Sequence, residues 1–285
     1  MSSVVPLFRD GGFGPEATHI LGKAYDIACQ SLHRRGQPPV VQELLAKKII
    51  EAAQRGERDP DRLAGIALGL LGPLHREVSQ RFGLVPNFFL PTPDAPEIVE
   101  KLWDFAKSAY LDNPIPALYK ERLFVFLSRF CQVRYCIARH LGFLVGYGHA
   151  SGDALAARQT IEQAVKLLKM PPPWRRPLEP IYERLEAFRS VIDWPEPESD
   201  AEDAVFAMSA LIFVEPTKSE RALQVLRQAL GAKRLEYLLA LLAFIKTAHY
   251  WTETHPALEI EEDVRELMAL NEELASLLLQ GPDLA

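Results

Sequence analysis

Cysteine is scarce: the 285 residues contain three, Cys29, Cys131 and Cys136. Three thiols cannot build the disulfide framework of a small secreted domain, so the informative question is whether one of them is reactive. Long apolar runs are also lacking. The most apolar segment, Tyr237 to Ile245, is followed by Lys246; it falls far short of the roughly 20 residues that span a bilayer and reads as a buried core helix. The first ten residues, MSSVVPLFRD, lack the basic start and apolar stretch of a secretory signal, so a cytoplasmic location is the expectation. Positive charge is not in excess. A formal charge of −6 with a pI near 5.7 argues against a chain that coats nucleic acid or an anionic membrane, and neither is an expected partner.

What is present is ordinary for a folded chain, with 48% hydrophobic and 25% charged residues, which excludes global disorder. Apolar residues recur at helical spacing almost throughout, whereas period-two runs bounded by turns are rare; the fold class is therefore all-α. The 22 prolines cut the chain into helices of ordinary length. Asp59-Pro60, Asp94-Ala95-Pro96-Glu97 and Thr217-Lys218-Ser219-Glu220 carry helix-start signals, the last at capping-box spacing. Residues 1–72 read as an N-terminal helical module, turned at Gly36-Gln37-Pro38-Pro39 and at Gly56 to Pro60 and left through Leu71-Gly72-Pro73. His33, Arg34 and Arg35 in it read as a solvated helix end. Residues 73–285 form the second unit.

The chemistry concentrates in the proline-free stretch from Ala117 to Met170, which holds Glu121, Cys131, Cys136 and His140. Cys136 and His140 are four apart, which on a helix puts both on one face, so the imidazole can take the thiol proton or hold the thiolate as an ion pair. Glu121 precedes Cys136 by fifteen residues, about 22 Å along one straight helix at 1.5 Å per residue; it joins the site only if the chain turns between them. Cys131 and Cys136, at i and i+5, point roughly 140° apart on a continuous helix and form no direct bridge unless a helix begins after Cys131. On the residues alone, both cysteines read first as small buried hydrophobes among the surrounding Phe, Leu and Val.

The segment FGLVPNFF from Phe82, followed by Trp103, Tyr110, Pro116, Lys120-Glu121, then YCIARH from Tyr135 and Gly148, resembles the carboxymuconolactone decarboxylase-like superfamily, which includes alkylhydroperoxidase D. The likeness covers about 73 to 150 well. In the peroxidase branch a Glu is followed twelve residues on by a Cys, three more by a second Cys and four more by a His; Glu121, Cys136 and His140 hold the first, third and fourth positions, and Val133 stands at the second. The resemblance implies a helical bundle of two pseudo-repeated halves over 73–285 and a homo-oligomer. It also implies a thiol-dependent hydroperoxide reductase in which Cys136 is the reactive thiol, His140 its base or counter-ion and Glu121 the group that orients the imidazole. The family cycle uses two thiols and a dithiol reductant. With Val133 in place of the first, either Cys131 resolves the oxidised Cys136 or an external thiol does. Two other readings stand beside it: a sensor or scaffold on the same fold, with the N-terminal helices as contact surface, and the lactone decarboxylase branch.

The remaining features read as structural. Glu236 and His255 repeat the nineteen-residue spacing of Glu121 and His140, and His249, Tyr250, Trp251, Glu253 and His255 form a polar-aromatic patch that reads as a helix end packed against the first half's pocket or a neighbouring subunit, without metal-binding spacing. Gly142, Gly146, Gly148 and Gly152 mark a helix end and turn, with His149 exposed there, and do not form a phosphate loop. Trp174 and Trp194 read as anchors of the proline-rich linkers, and one last helix as spanning roughly 260–280. No cofactor and no metal are expected.

Overall fold

The computed structural model describes residues 13–31, 39–69, 73–89, 95–188, 190–256 and 258–279. Every regular element among them is helical, as the sequence periodicity requires. Prolines open the first helices, α1 (Pro15–Ser31), α2 (Pro39–Gln54) and α3 (Pro60–Gly69), because the fixed φ of proline suits the first helical position and its missing N–H is not needed there. The Asp59 carboxylate accepts the Arg62 N–H at 2.8 Å, the cap that Asp59-Pro60 announces. These three helices share a core of their own, including Leu21, Ala28, Leu45, Ile49 and Leu63, and a second, larger cluster of buried residues runs from Val78 to Leu274. The boundary expected at residue 72, the cluster His33 to Arg35, the turn at 36–38 and Asp94 lie outside the described residues.

The larger core begins with α4 (Pro73–Phe82), a 3-10 turn at Asn87–Phe89 and α5 (Pro96–Ala106). A π turn, Lys107–Leu111, follows directly. Then come α6 (Ala117–Phe130), α7 (Arg134–Val145), a 3-10 turn at Ala150–Gly152 and α8 (Ile161–Lys169). After α9 (Glu179–Glu186) and α10 (Asp200–Val214), α11 (Glu220–Thr254) is interrupted at Gly231, whose φ of +77° is open to glycine and costly for other residues. The C-terminal segment is two short helices, α12 (Glu262–Ala269) and α13 (Glu272–Leu279), rather than the single one expected.

One of the start signals is used differently from its sequence reading. Ser219, not Thr217, precedes α11, and its hydroxyl donates to Glu215 O instead of capping the helix. The reciprocal box is formed at Thr160 and Gln163 at the start of α8.

α6 and α7 pack against each other as a hairpin at the centre of this core. All residues from Tyr119 to Ser128 and from Tyr135 to Leu144 are buried, the pattern of helices covered on every side. Charged residues there must be paired. The Arg122 guanidinium donates to both Glu202 oxygens, at 2.6 and 2.7 Å, and to Gln159 at 3.1 Å. The proline-free stretch is thus not one helix: it breaks at Cys131 to Val133, where Gln132 takes φ +58° and the Val133 N–H reaches back to Ser128 O. Glycine usually occupies such a left-handed helix exit; here a glutamine does, so no sequence signal marks it.

Candidate functional site

The turn at 131–133 brings Glu121 of α6 against His140 of α7. Glu121 Oε2 accepts a hydrogen bond from His140 Nδ1 at 2.6 Å. Its other oxygen, Oε1, accepts from the Tyr110 hydroxyl, from the Ser151 N–H at 2.5 Å and from the Ser151 hydroxyl at 2.8 Å. Burial would raise this carboxyl, but the imidazole and the hydrogen bonds from His140, Tyr110 and Ser151 outweigh it and hold Glu121 below its ordinary value. An ionised Glu121 fixes a proton of His140 on Nδ1 and leaves Nε2 outside this contact. The His140 ring stacks on Phe124 with centroids 3.5 Å apart, which holds the imidazole plane.

Irregular backbone delivers the two added donors. Tyr110 sits in the π turn, a geometry that displaces side chains from the regular helical register. Lys120 ties that turn down by donating its ammonium to Tyr110 O at 2.6 Å and to Leu111 O and Asn113 O at 3.1 Å; its own burial lowers it to about 8. Ser151 has left-handed φ and ψ of 46° and 33°, so its N–H and hydroxyl both point to one carboxylate oxygen. Tyr110 was visible in the sequence only as part of the resemblance, and Ser151 carried no signal.

Cys136 and His140, four residues apart on α7, both line a small cavity, with no hydrogen bond between them. The cavity has a volume of about 30 Å³ and is walled mainly by aromatic rings, among them Phe88, Phe124, Phe143 and Phe244. His140 Nε2 has no hydrogen-bond partner among the described residues. The Cys136 sulfur lies 3.8 Å from the Thr252 hydroxyl. Burial pushes its thiol up to about 12, with the Thr252 contact only partly offsetting it, so it rests as the neutral thiol. Cys131 is a half-buried free thiol at the C-terminal cap of α6, and burial raises its thiol too. It does not line the cavity.

A second polar layer backs the cavity. The Tyr135 hydroxyl donates to Glu261 at 2.6 Å, and Arg139 donates to both Asp263 oxygens at 3.0 and 3.1 Å. These contacts join α7 to α12.

The second half does not repeat the site. Glu236 is exposed and lies 3.9 Å from Arg227, and His255, nineteen residues on at the end of the same helix, bonds Trp251 O at 2.7 Å; roughly 28 Å of helix separates them. Within the patch, Tyr250 is exposed, whereas His249 is buried with its Nε2 2.7 Å from the Ser128 hydroxyl, and burial lowers it to about 3. From α11 it is Phe244 and Ala248 that reach the cavity. Gly146 ends α7 in the left-handed conformation, as expected. His149, expected to be exposed, is half-buried beside Gly83, with Nδ1 3.0 Å from Arg81 O. Trp174 meets Phe130 and Trp194 meets Tyr119, which anchors the linkers as expected.

Among the described residues no group of three or more His, Cys, Asp or Glu side chains is placed to hold a metal ion. No helix among them is long and apolar enough to cross a membrane. Set against known proteins, the chain matches no protein-family model, no curated protein and no solved structure.

Proposed function

We propose that this protein reduces hydroperoxides with the Cys136 thiol. The observation that carries the reading is the Glu121–His140 pair, which holds Nδ1 protonated and leaves Nε2 without a partner beside the cavity that Cys136 lines. Because burial pushes the thiol up to about 12, Cys136 is activated during the encounter with peroxide and is not stored as a thiolate. His140 Nε2 takes the thiol proton, the sulfur attacks one peroxide oxygen, and the O–O bond breaks. The departing oxygen leaves as an alcohol or water after recovering that proton. Sulfur is oxidised by two electrons to the sulfenic acid, and the peroxide is reduced by two. An external thiol then forms a mixed disulfide with loss of water, and a second thiol releases Cys136. The alternative to that external thiol within the chain is Cys131, at the head of the 131–133 turn. The reading carries with it two pseudo-repeated halves, a homo-oligomer and a cytoplasmic setting.

A second reading, a helical scaffold or sensor in which Cys136 and His140 are structural, is favoured by one observation: Cys136 is 2% exposed and its thiol is raised, the mark of an inert cysteine. The decarboxylase branch has less support, because Arg139, the cationic side chain lining the cavity, is already occupied by Asp263.

Intact-mass analysis of the reduced protein after a brief hydroperoxide pulse, beside Cys136→Ser and Cys131→Ser, separates these. Loss of two hydrogens that needs both cysteines identifies the displaced dithiol. One added oxygen confined to Cys136 identifies the one-cysteine cycle. No modification at low peroxide leaves the scaffold reading.

A further inference from the structure

We infer that the aromatic wall of the cavity restricts the oxidant to hydrogen peroxide and shuts out aryl and bulky alkyl hydroperoxides, an inference that rests on the hydroperoxide reading above. The cavity holds about 30 Å³, room for roughly two water-sized spheres at 10–15 Å³ each. Hydrogen peroxide has two heavy atoms. A benzene-sized guest occupies an apolar cavity of roughly 150 Å³, five times the space present.

The wall is not free to yield. Phe88, Phe124, Phe143 and Phe244 are each no more than 6% exposed, and they interlock with their neighbours. Phe244 stacks on Tyr110 at 5.4 Å with planes 10° apart and meets the edge of Phe88 at 6.4 Å. Phe124 is stacked on His140, and Phe143 on Phe82 at 5.2 Å. Widening the cavity for an aryl group requires several of these rings to leave their contacts together, which close packing resists. Within the cavity His140 Nε2, once it has taken the Cys136 thiol proton, donates it to the departing peroxide oxygen while the Cys136 sulfur meets the other oxygen. With hydrogen peroxide the step leaves water and the sulfenic acid.

The test uses full-length protein with Cys29→Ser and Cys131→Ser, so that Cys136 is its single cysteine, pulsed with hydrogen peroxide or cumene hydroperoxide. Quenching in denaturant containing dimedone traps sulfenic acid for mass analysis. The expected result is an adduct that forms at least tenfold faster with hydrogen peroxide than with cumene hydroperoxide. In Phe244→Ala the cumene-to-hydrogen-peroxide rate ratio rises at least tenfold, and Phe244→Leu, a smaller change, serves where the alanine variant does not fold. Comparable rates for the two oxidants in the parent overturn the size limit while the hydroperoxide reading stands. A ratio unmoved in the folded Phe244 variant overturns the aromatic wall as its cause. No adduct with either oxidant overturns the hydroperoxide reading, and this inference with it.

Discussion

Glu121 and His140, nineteen residues apart in the chain, meet at 2.6 Å between Oε2 and Nδ1 in the middle of the larger core. The carboxylate is fully buried and is tolerable there because four hydrogen bonds converge on it. Replacing it by Glu121→Gln removes the charge and keeps the shape. The expected outcome is loss of the strongly downfield Nδ1 proton of His140 in NMR spectra, with destabilisation of about 1.5–3 kcal/mol for the lost charge-assisted bonds. Glu121 is held below the ordinary 4.5, so the stability this depression contributes is present above about pH 4.5. It is lost as pH falls through the lower native value. The variant shows no such loss from this site.

His249 supplies a separate acid sensitivity. Its buried imidazole titrates near 3 instead of 6.5, so below pH 6.5 the unfolded chain binds a proton that the native state refuses. Stability from this group therefore declines as pH falls from about 6.5 toward 3, by about 2 kcal/mol between pH 7 and pH 5. Urea unfolding at the two pH values, compared with His249→Gln, measures it: the variant shows a smaller drop.

Arg122 and Glu202 form a buried, bidentate pair between α6 and α10. Removing one partner strands the other, and Arg122→Met alone or Glu202→Leu alone costs about 3–5 kcal/mol. The double variant recovers most of that loss. A double-mutant cycle by chemical unfolding checks this, and additive losses would contradict it.

Cys136, raised to about 12, resists alkylation at pH 8 in the native state. Iodoacetamide labels the half-buried Cys29 and Cys131 at least tenfold faster, and mass mapping after denaturing quench reads the order. Rapid native labelling of Cys136 would show a thiolate that the burial of this sulfur does not permit.

Much of the local structure is legible in the chain itself. Proline at the first turn of α1 to α3, the Asp59 cap and the glycine exit of α7 each act within a few residues, so sequence pattern suffices to place them. The shared face of Cys136 and His140 is of the same kind, because helical spacing alone settles it. The all-α class follows from apolar periodicity over the whole length.

The site as a working geometry is of another kind. Nothing in Cys131-Gln132-Val133 announces a break, since Gln132 takes a left-handed conformation ordinarily reserved for glycine, and on that one turn depends whether Glu121 lies about 28 Å along a helix from His140 or in contact with it. Tyr110 and Ser151 reach Glu121 only through a π turn and a left-handed serine, whose cost is met by the surrounding core. Glu236 and His255, with the same spacing, remain apart because no turn intervenes between them. The protonation of Cys136 is decided last of all. Its helix and its neighbours four residues away are written in the sequence, but the desolvation that keeps it a thiol comes from side chains, such as Phe88, Phe124 and Phe244, that only tertiary packing assembles around it. Local steric preference and periodicity are encoded residue by residue; exclusion of water and the pairing of buried charge are properties of the folded whole.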